Sequence, residues 1–163
     1  MLLRSNAEVA VRVESRGEVL NQFLVEVFGQ ILKAEAACLA GKDLSLRELH
    51  LIDAVCRAVD QGGDNRSTAI AAALGITAGT LTSAVNLLEK KGYLLRRRDE
   101  RDKRVVHLLP TERGRAADAR HRDFHRQMVA HVLDGLTDEE AECTLRALGR
   151  VAEFFRRGAL ERG

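Results

Sequence analysis

The stretch that decides the fold spans residues 67–92 and reads STAIAAALGITAGTLTSAVNLLEKKG. Ser67 and Thr77 are residue types that cap helices, and Gly75 favours a turn between the two capped segments. We therefore expect one helix over Thr68–Leu74 and a second over Ala78–Lys91. Two short helices joined by a short turn that contains glycine form a helix-turn-helix unit.

The second predicted helix has two faces of different chemistry. At 100° per residue its apolar positions cluster on one side, at Leu81, Ala84, Val85 and Leu88. The opposite side and the N-terminal end carry small, polar or basic residues, namely Thr77, Gly79, Thr80, Thr82, Ser83, Asn86 and Lys90. A helix with such a face can enter the major groove of DNA and hydrogen-bond to base edges. The alternative is an amphipathic surface helix that contacts no DNA.

A charged hairpin is predicted next, with strands over Tyr93–Arg98 and Val105–Leu109. Its segment 96–104, RRRDERDKR, holds six basic and three acidic residues. A wing beside the helix would place Arg101 near the adjacent minor groove, whose negative potential favours arginine. The candidates for DNA contact in the wing are Arg98, Arg101 and Lys103. We expect Asp99, Asp102 and Arg104 to hold the shape of the tip, because the acids would pair with neighbouring arginines. The alternative is a solvated turn.

Amphipathic helices are predicted on both sides of this region. Apolar periodicity and capping patterns place them over Val19–Ala40, from Ser45, over Glu112–Leu133 and over Asp138–Arg157. Gly41 is the predicted stop of the first helix, and Ser45/Glu48 and Thr137/Glu140 have capping-box spacing. The fold class that follows is all-α with a small β wing. We expect an N-terminal dimerisation helix in residues 1–41, a winged helix-turn-helix lobe in 42–110, and C-terminal dimerisation helices in 111–163.

Positive charge is concentrated in the middle of the chain. The formal net charge is only +2, yet residues 61–133 contain 14 basic and 8 acidic residues. A local basic surface attracts polyanions even when the whole chain is nearly neutral. Residues 1–17 lack the pattern of a signal peptide, and no apolar run approaches the roughly 20 residues of a membrane span. We therefore expect a cytoplasmic protein without membrane contact.

The sequence shows no sign of catalysis. It contains no nucleophile elbow, zinc-protease, phosphate-loop or dinucleotide motif, so we expect neither an enzyme nor a cofactor. The three isolated cysteines, Cys38, Cys56 and Cys143, are interpreted as reduced thiols that act as small buried hydrophobes.

Histidine spacing raises the question of a metal site. His121 and His125 lie four residues apart on one predicted helix face, a spacing that can ligate zinc, with His107 and His131 as further candidates. No cysteine or acidic cluster has matching spacing, and we therefore predict no metal.

The helix and hairpin together carry a family resemblance. The segment Leu81–Gly114 contains LTSAVNLLEKKGYLLR, then DERDKRVVHL, then TERG. It resembles the MarR family of bacterial regulators, whose wing signature D-x-R-D-x-R is matched by Asp99, Arg101, Asp102 and Arg104. The resemblance implies a homodimer based on the first and last helices, with a pseudo-palindromic operator in double-stranded DNA as its partner. It also implies that Arg101 reaches the minor groove while Thr82, Ser83 and Asn86 lie in the major groove.

A narrower resemblance within the family is to repressors of fatty-acid synthesis genes. It is carried by segments 45–50, 79–83, 104–108 and 122–129, and the chain departs from it in residues 1–18 and 60–66. It implies acyl carrier protein loaded with a long acyl chain as the effector. The candidate effector-binding residues are Phe23, Val27, Ile31, Arg122, His125 and Met128. Two alternatives stay open: a repressor of the same family that senses a small phenolic ligand or a metal ion, and a helical interaction protein that binds no DNA.

Overall fold

A computed structural model of the chain describes residues 2–38 and 43–160, with side chains for 15–37 and 43–157. In chain order the described elements are α1 (Leu2–Cys38), α2 (Leu46–Asp60), α3 (Ser67–Leu74), α4 (Ala78–Lys90), β1 (Leu94–Arg98), β2 (Val106–Pro110), α5 (Glu112–Asp134) and α6 (Asp138–Leu160). The described residues are thus mainly helical with one antiparallel hairpin, which confirms the all-α fold with a small β wing. The chain divides into two compact units, Met1–His121 and Arg122–Gly163.

The helix α1 is longer at its N-terminal end than the periodicity predicts. It begins at Leu2 rather than Val19. Residues 2–18 contain no proline and include many residues compatible with a helix, so helical structure continues beyond the apolar stripe. The predicted end at Ala40 and the stop at Gly41 lie outside the described residues.

α3 and α4 form the predicted helix-turn-helix. Between them Gly75 adopts a left-handed backbone with φ 64°, a conformation that costs glycine little. The Thr77 hydroxyl then caps α4 by accepting the N–H of Thr80 at 3.2 Å. The chain bends by 109° between the two helices, within the range of about 90–120° for units of this kind.

The two predicted capping boxes formed, whereas the cap predicted at Ser67 did not. Ser45 and Glu48 make a reciprocal capping box at the start of α2, and Thr137 and Glu140 do the same before α6. The predicted cap at Ser67 is wrong. Ser67 is the first residue of α3, and its hydroxyl donates to the carbonyl oxygen of Val106 at 3.2 Å, so it joins the helix to the hairpin instead.

The core of the first unit lies among α2, α3, α4, the hairpin and the beginning of α5. Its largest fully buried side chains are Leu49, Ile52, Val55, Cys56, Val85, Leu88, Tyr93, Leu94 and Leu108. The hairpin pairs Leu94 with Pro110 and Arg98 with Val106, which places Leu94 and Leu108 inward. The wing is therefore attached to the helices through its own apolar residues.

A glycine allows α5 to begin directly against the hairpin. A Cβ added to Gly114 would lie 2.3 Å from the carbonyl oxygen of Tyr93. The same carbonyl accepts the N–H of Thr111 at 3.1 Å, so the oxygen is held in place. Position 114 therefore tolerates only a residue without a side chain unless the backbone shifts.

Both terminal helices present apolar side chains to solvent within one protomer. On α1 these are Val19, Leu20, Phe23, Val25, Phe28 and Leu32, and on α6 they are Leu145, Leu148, Phe154 and Phe155. Cys56 is buried as predicted, but the prediction for Cys143 is wrong, because this side chain is exposed. The side chain of Cys38 lies outside the described residues.

No single helix in the described residues is long and apolar enough to cross a membrane; α3 and α4 pass that test only as a bent pair.

Candidate nucleic-acid interface

The two faces of α4 differ in burial. Leu81, Val85 and Leu88 are buried in the core of the first unit. The seven residues proposed for DNA contact on this helix and its cap are all exposed: Thr77, Gly79, Thr80, Thr82, Ser83, Asn86 and Lys90. The helix thus presents a continuous polar surface with no bulky side chain at its N-terminal end, where an approaching duplex needs room.

The hydroxyl groups on this surface have defined donors and acceptors. Thr82 donates to the carbonyl of Ala78 at 2.8 Å, and Ser83 donates to that of Gly79 at 3.1 Å. Because each hydroxyl proton is used within the helix, the outward-facing oxygen is left with acceptor lone pairs. Acceptors of this kind match the amino groups of adenine and cytosine in the major groove.

Arg96 on β1 joins the hairpin to α4, and sequence reasoning missed it. Its guanidinium donates to the Oδ1 atom of Asn86 at 2.7 Å, to the carboxylate of Glu89, and to the carbonyl of Thr82 at 3.2 Å. The backbone N–H of Arg96 also donates to Glu89 at 3.0 Å. Strand alternation was the available signal, because it puts Arg96 on the same face as buried Leu94, where an arginine needs an acidic partner.

The contact with Arg96 fixes the orientation of the Asn86 amide. A guanidinium has only donors, so the atom that faces it must be the amide oxygen. The NH2 group of Asn86 is then directed to the other side, where it can donate to guanine O6 or N7, adenine N7 or thymine O4.

The tip of the wing is shaped by carboxylates that accept backbone N–H groups. Asp99 accepts those of Arg101 at 2.8 Å and Asp102 at 3.0 Å, and Asp102 accepts that of Arg104 at 2.9 Å. These backbone donors hold the pKa of Asp99 below its ordinary value, so the carboxylate stays ionised. The expected pairing of acids with arginine side chains is therefore corrected: Asp99 and Asp102 hold the turn through its backbone.

His107 belongs to the wing and not to a histidine cluster with His121. Its Nδ1 atom lies 2.8 Å from the Asn65 amide oxygen, and its Nε2 atom lies 3.3 Å from Asp99. Asn65 in turn donates to the carbonyl of Leu108 at 2.9 Å. The loop before α3 therefore supports β2, to which it adds one isolated antiparallel bridge between Arg66 and His107. The suggestion that His107 joins a metal site with His121 is wrong.

The basic groups at this surface fall into two sets. Arg66 pairs with Asp64 and Arg96 pairs with Glu89, so their charges are compensated. The hydrogen bonds from Arg66 lower the pKa of Asp64 to about 2. The second set consists of exposed cations that form no ion pair within the described part of the chain: Lys90, Arg97, Arg98, Arg101, Lys103 and Arg104. That second set is available to phosphates and to the minor groove.

A cavity of about 400 Å³ opens between α3, α4 and the wing. Its lining includes Thr82, Asn86, Arg96 and Arg104, together with the aliphatic side chains of Val85 and Val106. The cavity brings the polar surface of α4 and the base of the wing side by side, so that both can face one ligand.

The six candidate effector-binding residues are divided between the two compact units. Phe23, Val27 and Ile31 lie on α1 in the first unit, where Phe23 is exposed and the other two are half-buried. Arg122, His125 and Met128 lie on α5 in the second unit, where Arg122 is exposed and the other two are half-buried. Their role in effector binding stays a prediction.

The fold and the exposed surface of α4 define a winged helix-turn-helix protein. The model of the MarR family matches residues 55–106, from α2 through the beginning of β2. The chain belongs to the MarR family and is a DNA-binding transcription regulator, not an enzyme.

Among solved structures, the chain is similar to FabT of Streptococcus pneumoniae in complex with DNA. The TM-score is 0.77 with 34% sequence identity, over 86% of this chain and 97% of that chain. It also shares its fold with S. aureus MepR in complex with DNA, at a TM-score of 0.65 with 18% identity, over 83% of this chain and 97% of that one.

Two HTH-type transcriptional regulators of Bacillus subtilis are similar in sequence. YwhA is 31% identical over 72 residues, which is 44% of this chain and 52% of YwhA. YcgE is 31% identical over 85 residues, which is 50% of this chain and 53% of YcgE. The match therefore spans about half the length of either relative.

Proposed function

We propose that the chain acts as a homodimeric repressor that binds a pseudo-palindromic operator through α4 and the wing. The observation that carries the proposal is the exposed polar surface of α4 beside a wing whose cations have no ion pair among the described residues. In this assignment Thr82, Ser83 and Asn86 read base edges in the major groove. The contacts that position the duplex come from Thr77, Gly79, Thr80, Lys90, Arg98, Arg101 and Lys103, with Arg101 in the minor groove.

The proposed dimer is supported by the apolar surfaces of α1 and α6. Phe154 is 72% exposed and Val19 is 68% exposed within one protomer. Exposed apolar surface of this extent is typically covered in an oligomer, and a symmetric dimer is the commonest solution. We assign dimerisation to residues 1–41 and 111–163, and DNA binding to residues 42–110.

The proposed target is a set of fatty-acid synthesis genes, and the proposed effector is acyl carrier protein with a long acyl chain. Similarity to FabT over most of the chain supports the target. The effector is supported by the chemistry of α5, which carries Arg113, Arg115, Arg120, Arg122 and Arg126 close in sequence to Phe124, Met128 and Val129. A basic surface beside apolar groups suits an acidic carrier that delivers an apolar chain.

The DNA-binding proposal is tested by selecting fragments from the source genome with the purified full-length chain. Genes next to the recovered sites identify the pathway, and Arg101→Ala is then measured on the recovered operator over a range of salt concentrations. We expect weaker binding and a slope of log affinity against log salt that is smaller by about one unit. Unchanged affinity and slope would mean that the wing tip is only a solvated turn.

The effector proposal has a separate test, in which the protein–operator complex is titrated with acylated and unacylated carrier at fixed salt. Only the acylated carrier is expected to change operator affinity, and operator DNA should change carrier affinity by the same factor. Equal responses to both carriers, or no response to either, would remove the effector and leave DNA binding untouched.

A further inference from the structure

His107 connects the loop before α3 to the tip of the wing. Its Nδ1 atom lies 2.8 Å from the side-chain oxygen of Asn65, and its Nε2 atom lies 3.3 Å from the Oδ2 atom of Asp99. The Oδ1 atom of the same carboxylate accepts the backbone N–H groups of Arg101 and Asp102. One imidazole therefore links the loop to the backbone segment that carries Arg101.

The orientation of the Asn65 amide is fixed by its second partner. Its Nδ2 atom donates to the carbonyl oxygen of Leu108 at 2.9 Å, and the backbone N–H of Leu108 donates to the carbonyl oxygen of Asn65 at 2.9 Å. A carbonyl oxygen only accepts, so the NH2 group of Asn65 faces Leu108 and the side-chain oxygen faces His107. The Nδ1 atom of His107 must therefore carry a proton in this contact.

The other partner of the imidazole, Asp99, is also an acceptor. The backbone N–H groups of Asp102 and Arg101 lower the pKa of Asp99 most, and His107 lowers it further, so the carboxylate is ionised at neutral pH. A neutral imidazole with its proton on Nδ1 would turn the lone pair of Nε2 toward this carboxylate, and the other neutral tautomer would turn the lone pair of Nδ1 toward Asn65. Only the imidazolium, which donates from both nitrogens, satisfies both contacts.

Other charged groups surround His107 without touching it. In the loop, hydrogen bonds from Arg66 lower the pKa of Asp64 most, and charge on His107 lowers it further. Arg97 is the cross-strand partner of His107 on β1, but it is exposed, so water and salt screen its repulsion. α3 has no titratable side chain. Several ionisable residues of α2 pair elsewhere: Glu48 with Lys91, His50 with Glu35, Asp53 with Arg57 and Asp60 with Arg115.

We propose that His107 is a positioning residue of the wing: its protonation holds the tip in the conformation that binds DNA, and operator affinity falls as the pH rises from about 6 to about 8. This rests on the proposed function, because the wing must contact the operator for its conformation to affect affinity. Histidine is the side chain whose charge ordinarily changes in this pH range. When His107 loses its proton, one of its two contacts becomes a pair of facing lone pairs, and Asp99 holds the backbone of Arg101 without support from the loop.

The test measures binding of the full-length chain to labelled operator by fluorescence anisotropy, at fixed ionic strength. The wild type should bind about fivefold more weakly at about pH 8 than at about pH 6, the factor expected for one partly exposed hydrogen bond between charged groups. His107→Gln has no titrating ring at this position and should lose this dependence. His131→Gln removes an exposed histidine on α5 and is the matched control, which should keep the wild-type profile.

Asp99→Asn distinguishes positioning from a direct contact between His107 and phosphate. The asparagine oxygen can still accept the two backbone N–H groups, and its NH2 group can donate to a neutral imidazole, so the pH dependence should disappear or reverse. An imidazolium that contacted phosphate itself would keep its pH dependence in this variant. Circular dichroism shows whether each variant folds.

NMR of the wild type provides a readout that needs no variant. The backbone amide signals of Arg101 and Asp102 should shift with the same midpoint as the ring of His107. The inference would be overturned if these amides did not follow the ring, if His107→Gln kept the wild-type pH profile, or if Asp99→Asn did so; DNA binding would then remain. A wild-type chain that bound no operator at either pH would overturn the proposed function as well.

Discussion

Replacing Arg96 by methionine tests whether this arginine positions the base-reading side chains. The substitution keeps the length of the side chain and removes its hydrogen bonds to Asn86, Glu89 and Thr82. Hydrogen bonds to charged groups contribute about 1.5–3 kcal/mol when buried. The side chains of Arg96 and Glu89 are 27% and 30% exposed, so we expect a smaller loss of unfolding free energy, about 1 kcal/mol.

The effect on operator binding should be coupled to Asn86. Without the guanidinium the Asn86 amide is free to rotate, so Asn86→Ala should cost less in Arg96→Met than in the wild type. Groups in direct contact show coupling energies of about 0.5–3 kcal/mol, and the single 2.7 Å hydrogen bond suggests about 1 kcal/mol here. Fluorescence anisotropy with labelled operator, measured on wild type, both single variants and the double variant, provides the four free energies needed.

Arg101→Ala combined with Asn86→Ala is the matched control cycle, because Arg101 belongs to the separate hydrogen-bonded turn at the wing tip. That pair should be additive within about 0.5 kcal/mol. If the cycle of Arg96 with Asn86 were equally additive, Arg96 would not orient the Asn86 amide.

Three further predictions concern stability and reactivity. Gly114→Ala should lower the free energy of unfolding by about 1–3 kcal/mol in urea denaturation, because the added methyl group clashes with the carbonyl oxygen of Tyr93. Gly17→Ala is the control: this helical position has open space around it, so the substitution should be neutral or stabilising. Burial raises the pKa of Glu48, but hydrogen bonds from its lysine and serine partners outweigh burial and the net pKa is lowered. The ionised Glu48 carboxylate therefore stabilises the fold above about pH 4.5, and this stabilisation is lost as the pH falls. The free energy of unfolding of Glu48→Gln should accordingly fall less between pH 6 and pH 3 than that of the wild type. Burial also raises the pKa of the Cys56 thiol to about 12, whereas Cys143 is exposed. Peptide mapping after maleimide treatment near pH 8 should therefore find Cys143 labelled and Cys56 unlabelled. Equal labelling of the two cysteines would contradict this.

Local signals in the sequence were sufficient for the helix-turn-helix and the wing. The cap at Thr77, the turn at Gly75 and the apolar spacing of α4 all involve residues a few positions apart, and each formed as expected. The cap predicted at Ser67 failed because its hydroxyl found a partner 39 residues away on β2. Local propensity identifies Ser67 as a residue type that can cap a helix, but it does not predict a hydrogen bond to a distant strand.

Sequence reasoning also missed contacts between side chains that lie far apart in the sequence. Arg96 acts on Asn86 across the space between a strand and a helix, and no spacing rule connects the two positions. Glu35 on α1 and His121 on α5 are 86 residues apart in the sequence, yet their side chains lie 3.3 Å apart, and no local pattern predicts that contact. The charged tip of the wing was recognised, yet its shape depends on backbone N–H groups that the residue types do not reveal.

Whether the exposed surface of α4 reads base edges is tested by comparing binding to the selected operator with binding to random DNA of equal length. Asn86→Ala and Thr82→Ala should each cost about 1–3 kcal/mol on the operator and far less on random DNA, because base contacts discriminate sequences. Lys90→Ala, an exposed cation at the C-terminal end of the same helix, should weaken both by a similar amount, as a phosphate contact does. If Asn86→Ala and Thr82→Ala weakened both DNAs equally, α4 would not be the helix that reads the operator.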